Sequence, residues 1–200
     1  MTKITTINLE NAYSYQEYIK LATNLFEQNK TTSDDPHYNE AWVLELTKLN
    51  FQRIHRLEKT TIINPELIEK LKNLKESQYW VILVESWCGD VAQNLPVLEK
   101  MAELSEGKVE IKLLVRDKNP EIMNMYLTNG GKSIPKLISV NTHSLEEIFT
   151  WGPRPAPVQE LMLENKKQNL NFEKGHEIIH GWYAKDKTQT LQKEIFDLIR

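Results

Sequence analysis

The chain holds one cysteine, Cys88, in the stretch Trp87-Cys88-Gly89-Asp90, and no other residue points so directly to chemistry. An apolar run with strand character precedes it and a stretch with helical spacing follows, which puts the sulfur at the first turn of a helix. Backbone N–H groups without intrahelical partners meet the positive end of the helix dipole there, and both favour thiolate over thiol. Thiolate is the form that attacks disulfides and peroxides, so this placement can turn a small hydrophobe into a nucleophile. Trp87 would shield one side of the sulfur and Gly89 would keep the turn open. Asp90 acts in two senses, because a carboxylate favours a helix start yet repels a neighbouring thiolate. The direction of the net pKa shift therefore stays open. The plainer alternative is a cysteine that belongs to the core, since unpaired cysteine is among the most buried residue types.

A second pattern is His176-Glu177-Ile178-Ile179-His180. Histidines four apart share one side of a helix and can hold a zinc ion, with Glu177 as general base. Gly175 and Gly181 bracket the segment and imply a short helix, and Glu194 is the one candidate for a third ligand, at an unusual spacing. The competing reading packs Ile178 and Ile179 on the core, leaves the histidines solvated or hydrogen-bonded, and assigns no metal. Arg53, His55, Arg56 and Lys59 form a basic stretch that reads as a solvated face, or else as a site for an anion or a low-molecular-weight thiol. Arg154, in the proline-rich WGPRPAP, either aims its guanidinium at Cys88 or sits in a structural ion pair.

Elements must hold these groups in place, and periodicity indicates which. Residues 1–77 read as a polar helical extension. Ser14 with Glu17 is a capping-box pattern ahead of a face made by Tyr15, Ile19, Ala22 and Phe26. Asp35 and Pro36 start a second helix with the stripe Tyr38, Trp42, Leu46 and Leu49, and Asn64 and Pro65 a third with Leu67, Leu71 and Leu74. At Tyr79 the texture changes: YWVILVES is rich in aromatic and β-branched residues and reads as a buried central strand. After the cysteine turn, Val91, Leu95, Leu98 and Ala102 recur at helical spacing, and 108–115 is a second strand. Asn119 caps and Pro120 opens a helix that ends at Asn129, Gly130 and Gly131. Two runs, 136–140 and 145–151, form a hairpin about the turn-like NTHS, and a helix over 157–168 follows. Past Asn169 only a final helix carrying Leu191, Ile195, Leu198 and Ile199 is clear. Trp42, Trp80, Trp151 and Trp182 read as core. The organisation expected is an extension over 1–77, a main domain over 78–170 and a helical tail over 171–200 packed on it.

The WCGD turn with Pro96 eight residues past the cysteine, followed by Ser133-Ile134-Pro135 one β-α unit later, resembles the thioredoxin family over about residues 79–168. It is most similar to bacterial members with a helical extension, which carry segments like TNGGKSIPK and WGPRPAPVQEL. The resemblance implies an α/β, three-layer thioredoxin-like fold with a central mixed sheet of about four strands. It also implies a cis peptide bond at Pro135 facing Cys88, and a groove in which the backbone of Ile134 pairs with an extended peptide or thiol substrate. Trp87, Gly89 and Asp90 would flank that substrate, and Gly152 stands where the family keeps a glycine. Two positions depart from the pattern. Val91 replaces the second cysteine of a CxxC pair, and Ile82 stands where many members carry a buried carboxylate. What remains is monothiol chemistry, with Cys88 as the catalytic nucleophile on a mixed disulfide or oxidised to sulfenic acid by peroxide, and an outside thiol to resolve it. Such a protein needs no cofactor, and its partner is a low-molecular-weight thiol or a protein disulfide. The alternative is a non-catalytic module that binds an extended segment beside Pro135.

Composition narrows the field further. The 200 residues carry 28 acidic and 25 basic side chains for a net charge of −3, spread along the chain, with no electrostatic footprint for nucleic acid or an acidic membrane. No apolar run is long enough to span a bilayer, and the start MTKITTINLENAYS lacks the apolar stretch of a secretory leader. One cysteine excludes an internal disulfide, so a reducing, cytoplasmic location is expected, with the oligomeric state open.

Overall fold

The structure is a computed structural model that describes residues 4–199, so Met1–Lys3, the opening of the start read above for a leader, and Arg200 lie outside it. Strands β1 (Gln78–Val84), β2 (Val109–Val115), β3 (Lys136–Asn141) and β4 (Glu147–Trp151) form one mixed sheet in the order β2-β1-β3-β4. β1 and β2 are parallel, with Ile82 opposite Leu113. β3 runs antiparallel to both β1 and β4, placing Leu137 opposite Ile82 on one side and Trp151 on the other. β1 is an inner strand covered on both faces, which is why it is a continuous apolar run: Trp80 through Val84 are fully buried.

Nine helices accompany the sheet among the described residues: α1 (Thr6–Glu10), α2 (Tyr15–Glu27), α3 (Ala41–Thr60), α4 (Pro65–Lys72), α5 (Gly89–Glu103), α6 (Pro120–Met125), α7 (Ala156–Lys167), α8 (Phe172–Asp186) and α9 (Gln189–Leu198). The expected caps of α2 and α4 form. Ser14 and Glu17 bond reciprocally, and Asn64 accepts from the Glu66 N–H with Pro65 in the first turn. α2, α4, α5 and α9 pack with the sheet in one core, through Tyr18, Leu67, Leu71, Leu95, Leu98, Leu191 and Ile195. A smaller cluster of Val158, Ile179 and Tyr183, with Trp182 half-buried beside it, ties α7 to α8. No helix among the described residues is long and apolar enough to cross a membrane.

Four local expectations need correction. Asp35 and Pro36 open only a 3₁₀ turn, Pro36–Asn39, and α3 starts after Glu40. Its buried stripe is Val43, Thr47, Asn50, Ile54 and Leu57, leaving Trp42 47% and Leu49 43% exposed. The reason is that the polar members of the stripe are satisfied inside: the Thr47 hydroxyl donates to Val43 O at 2.9 Å and the Asn50 amide to Ser86 O at 3.1 Å. Asn119 does not cap α6; its amide donates back to Val115 O at 2.8 Å. Gly175 and Gly181 do not shorten their helix either. α8 runs 15 residues through both, capped by the Asn171 side chain and anchored by Ile179 and Tyr183, contacts that outweigh the roughly 1 kcal/mol cost of each glycine.

Candidate functional site

β1 ends in the tight turn Glu85-Ser86-Trp87-Cys88, and Cys88 is the N-cap residue of α5, its carbonyl accepting from the Ala92 N–H at 3.1 Å. Opposite lies the loop before β3, where the Ile134–Pro135 peptide is cis. The Cys88 thiol donates to Ile134 O across this gap, Sγ to O 3.3 Å. Gly152, just past β4, closes the far side. Its φ is +109°, and a Cβ there would lie 2.2 Å from Pro135 O, so the close approach of the two backbones requires glycine. The structure therefore brings Cys88, Ile134, Pro135 and Gly152 together.

The charge balance at the sulfur differs from the helix-start argument. Cys88 is buried, and burial is the largest influence on it; the Asp90 carboxylate adds to this, while the N–H groups of Val91 and Asp90 and the Arg154 guanidinium oppose it. The thiol is pushed up to about 12. Desolvation of a charge outweighs two backbone donors. The direction left open by the sequence is upward, and the sulfur is a thiol at neutral pH.

Asp90 is held rather than free. It accepts from Arg154 Nε and Nη2 at 2.8 and 2.6 Å and from the Tyr183 hydroxyl at 2.7 Å. Arg154 also donates to Gln159 Oε1 at 3.0 Å, so it serves a structural ion pair. Trp87 is stacked on Tyr38 with ring centroids 4.1 Å apart and planes 6° from parallel. The Arg116 guanidinium lies 4.8 Å from its ring centroid.

The histidines of α8 also arrive here. His176 and His180 stand with ring centroids 4.1 Å apart, and His180 Nδ1 is 3.0 Å from Gln93 Nε2. With the Gln93 amide donating, the imidazole carries its proton on Nε2. Burial, then the charge of Arg53, lowers both, and His180 falls to about 3, so both rings are neutral at pH 7. No group of three or more metal-ligating side chains occurs among the described residues. Glu194 is engaged elsewhere, accepting from Trp151 Nε1 at 2.7 Å and the Ala156 N–H at 2.8 Å. Gly89 has a purpose other than an open turn: a Cβ there would sit 2.9 Å from His180 Nε2, so its missing side chain lets α8 close on α5. Of the basic stretch, His55, Arg56 and Lys59 are exposed, whereas Arg53 is half-buried and donates to Asn50 Oδ1 at 2.7 Å.

In front of Cys88 these elements enclose a cavity of about 520 Å³ between α3, the 87–90 turn and the α7–α8 region. A second cavity, of about 410 Å³, lies beyond Gln93 and Asn94 toward the α8–α9 turn and contains no thiol.

Glu85 is the residue that the sequence reading passed over. It is fully buried, accepts from the Asp117 N–H at 3.0 Å and from the Thr32 hydroxyl, and burial raises it to about 7. Thr32 and Ser86 then bond reciprocally, the Thr32 N–H to Ser86 Oγ at 3.2 Å and the Ser86 N–H to Thr32 Oγ1 at 3.0 Å. The available signal was an acid placed directly after the apolar run 79–84.

A family model described as thioredoxin matches residues 37–170. Thioredoxin 1 of Nostoc sp. (strain PCC 7120) is 35% identical over 52 residues, which are 26% of this chain and 46% of that protein. A thioredoxin of Chlorobaculum thiosulfatiphilum is 40% identical over 55 residues, 28% of this chain and 48% of that protein. The chain thus spans about half the length of each relative. The crystal structure of an HIV epitope-scaffold superposes with a TM-score of 0.52 at 14% identity, covering 92% of this chain and 99% of that one, a likeness of fold alone. The family match takes in the Cys88 turn, the Pro135 loop and all four strands of the sheet, and on that ground the chain belongs to the thioredoxin family.

Proposed function

We propose that the protein is a thioredoxin-family binding protein whose ligand is a small, largely apolar molecule held in the cavity beside Cys88, with the thiol forming part of the wall. One observation carries this reading: the thiol donates to Ile134 O, the group that would otherwise serve an extended substrate. The turn is covered as well, by Tyr38 over Trp87 and by His180 and Tyr183 over Gly89 and Asp90. A peptide laid along Pro135 finds that carbonyl engaged, whereas the cavity stays open to a small molecule. The test is binding of anilinonaphthalenesulfonate to the native full chain. Binding should survive Cys88→Ser within about twofold and be lost in Leu46→Trp, which fills the cavity; loss in folded Cys88→Ser overturns the reading.

Monothiol exchange is the second reading, favoured by the position of Cys88 on the wall of the same cavity, where a small disulfide would meet the sulfur. Cys88 would give up its proton, its thiolate would attack one sulfur of RS–SR, and RS⁻ would leave and take up a proton as Cys88–S–S–R forms. A second, outside thiol then releases RS–S–R′ and restores Cys88, because Val91 has no sulfur to do so. Its partner would be a low-molecular-weight thiol or a protein disulfide, and both readings suit a reducing, cytoplasmic setting. Burial and Asp90 oppose the required ionisation. Mixed-disulfide formation with cystamine at pH 7 as fast as that of free cysteine would move this reading to first place.

A further inference from the structure

The cavity beside Cys88 is apolar along most of its wall, and a cation, Arg53, stands behind one polar stretch of that wall. Trp42, Leu46, Phe172 and Ile179 supply flat and aliphatic surface, with the Trp42 and Phe172 rings edge to face at 5.8 Å. Both rings are exposed, Trp42 by 47% and Phe172 by 60%, and side by side they make an apolar rim. Asn50, Gly89 and His180 are part of the wall. Arg53 stands immediately behind them, bonded to Asn50 Oδ1 and with Nη1 3.8 Å from the place of a Cβ on Gly89. Half-buried as it is, this guanidinium has no carboxylate within ion-pair distance among the described residues. The one carboxylate on the wall, Asp90, is already matched by Arg154 at 2.6 Å. Lys166 adds a second cation to the lining.

Resting on the binding reading above, we infer that the cavity selects a small amphipathic monocarboxylate, its apolar body against Trp42, Leu46 and Phe172 and its carboxylate turned toward Arg53. A partly desolvated guanidinium without a carboxylate partner leaves a positive potential that a carboxylate satisfies, that an alcohol of the same shape does not use, and that an amine opposes. The imidazoles of His176 and His180 bring no charge of their own at neutral pH, so the sign of the potential is set by Arg53 and Lys166. The aromatic rim supplies affinity that all three ligands share.

The test is an amide NMR titration of the full chain with 4-phenylbutyrate, 4-phenylbutanol and 4-phenylbutylamine. All three should perturb the amides of Asn50, Gly89 and Gly175, with the acid binding at least tenfold more tightly than the alcohol and the amine weakest. Arg53→Gln should weaken the acid at least threefold and leave the alcohol unchanged, and Arg53→Lys should restore most of the preference. Equal affinity for acid and alcohol in the unaltered protein overturns the charge selection while the binding reading stands. Perturbation by none of the three overturns both.

Discussion

Cys88 and Glu85 are acids three residues apart on one turn, and burial moves both in the same direction, toward the protonated form. For Glu85 the sign of the linkage is definite. Its folded pKa of about 7 lies above the ordinary 4.5, so between these values the native state holds a proton that the unfolded chain has released. Its contribution to stability is fully present below about 4.5, falls by up to about 1.4 kcal/mol per pH unit as pH rises, and levels off above about 7. Glu85→Gln removes the titration and keeps an acceptor for the Asp117 N–H. Denaturant unfolding at pH 4.5, 6 and 8 should therefore show the variant gaining on the parent as pH rises; parallel stabilities would show that Glu85 does not titrate in this window. The sequence disclosed the place of Cys88, because strand, turn and helix are local patterns. The state of its proton was hidden, because burial is decided by α3 and α8, which reach the turn from distant parts of the chain.

At the scale of elements, backbone fit is more demanding than propensity. Gly152 and Gly107 both have positive φ, +109° and +84°, but only Gly152 has a backbone oxygen where a side chain would go, while nothing lies within 4 Å of a Cβ on Gly107. Gly107→Ala should cost about 1 kcal/mol, the conformational penalty alone. Gly152→Ala should cost about 3 kcal/mol or more, because the Pro135 loop must move. Equal losses in thermal unfolding would mean that the approach to Pro135 is not tight. The same contrast explains which elements were legible. The Ser14–Glu17 box and the Asn64–Pro65 start are satisfied within a few residues, so sequence reveals them. The burial of Asn50 depends on Ser86 O, and the continuity of α8 through two glycines on α7, neither of which a local pattern records.

Across the whole molecule, the cysteine turn is gripped by chain from both ends of the sequence. Tyr38 and Asn50 hold Trp87 and Ser86 from one side, and His180 and Tyr183 meet Gly89 and Asp90 from the other. The sheet shares one core with α2 and α4, whereas the α8 side of the cover packs in the smaller cluster with Val158. The mixed four-stranded sheet, the family and the pairing of Cys88 with the Pro135 loop could be read ahead of the structure. The convergence of Arg53 with the α8 histidines could not, since their residue types suggested a metal and a solvated face, and only the tertiary fold turns them toward one cavity. Because Tyr38 covers Trp87 without entering the core cluster, Tyr38→Ala should raise the rate of Cys88 alkylation several-fold at fixed pH and lower stability by no more than about 1 kcal/mol. An unchanged alkylation rate would show that the stack does not cover the sulfur.

The central claim, that Cys88 is a buried thiol and not a poised thiolate, meets its most direct test in the rate of iodoacetamide modification of the native protein between pH 6 and 10, followed by mass spectrometry. The rate should be about a hundredfold or more below that of free cysteine at pH 7 and climb about tenfold per pH unit with no plateau up to pH 10. A plateau reached by pH 8, at a rate equal to or above that of free cysteine, would contradict the account and restore Cys88 as an activated nucleophile.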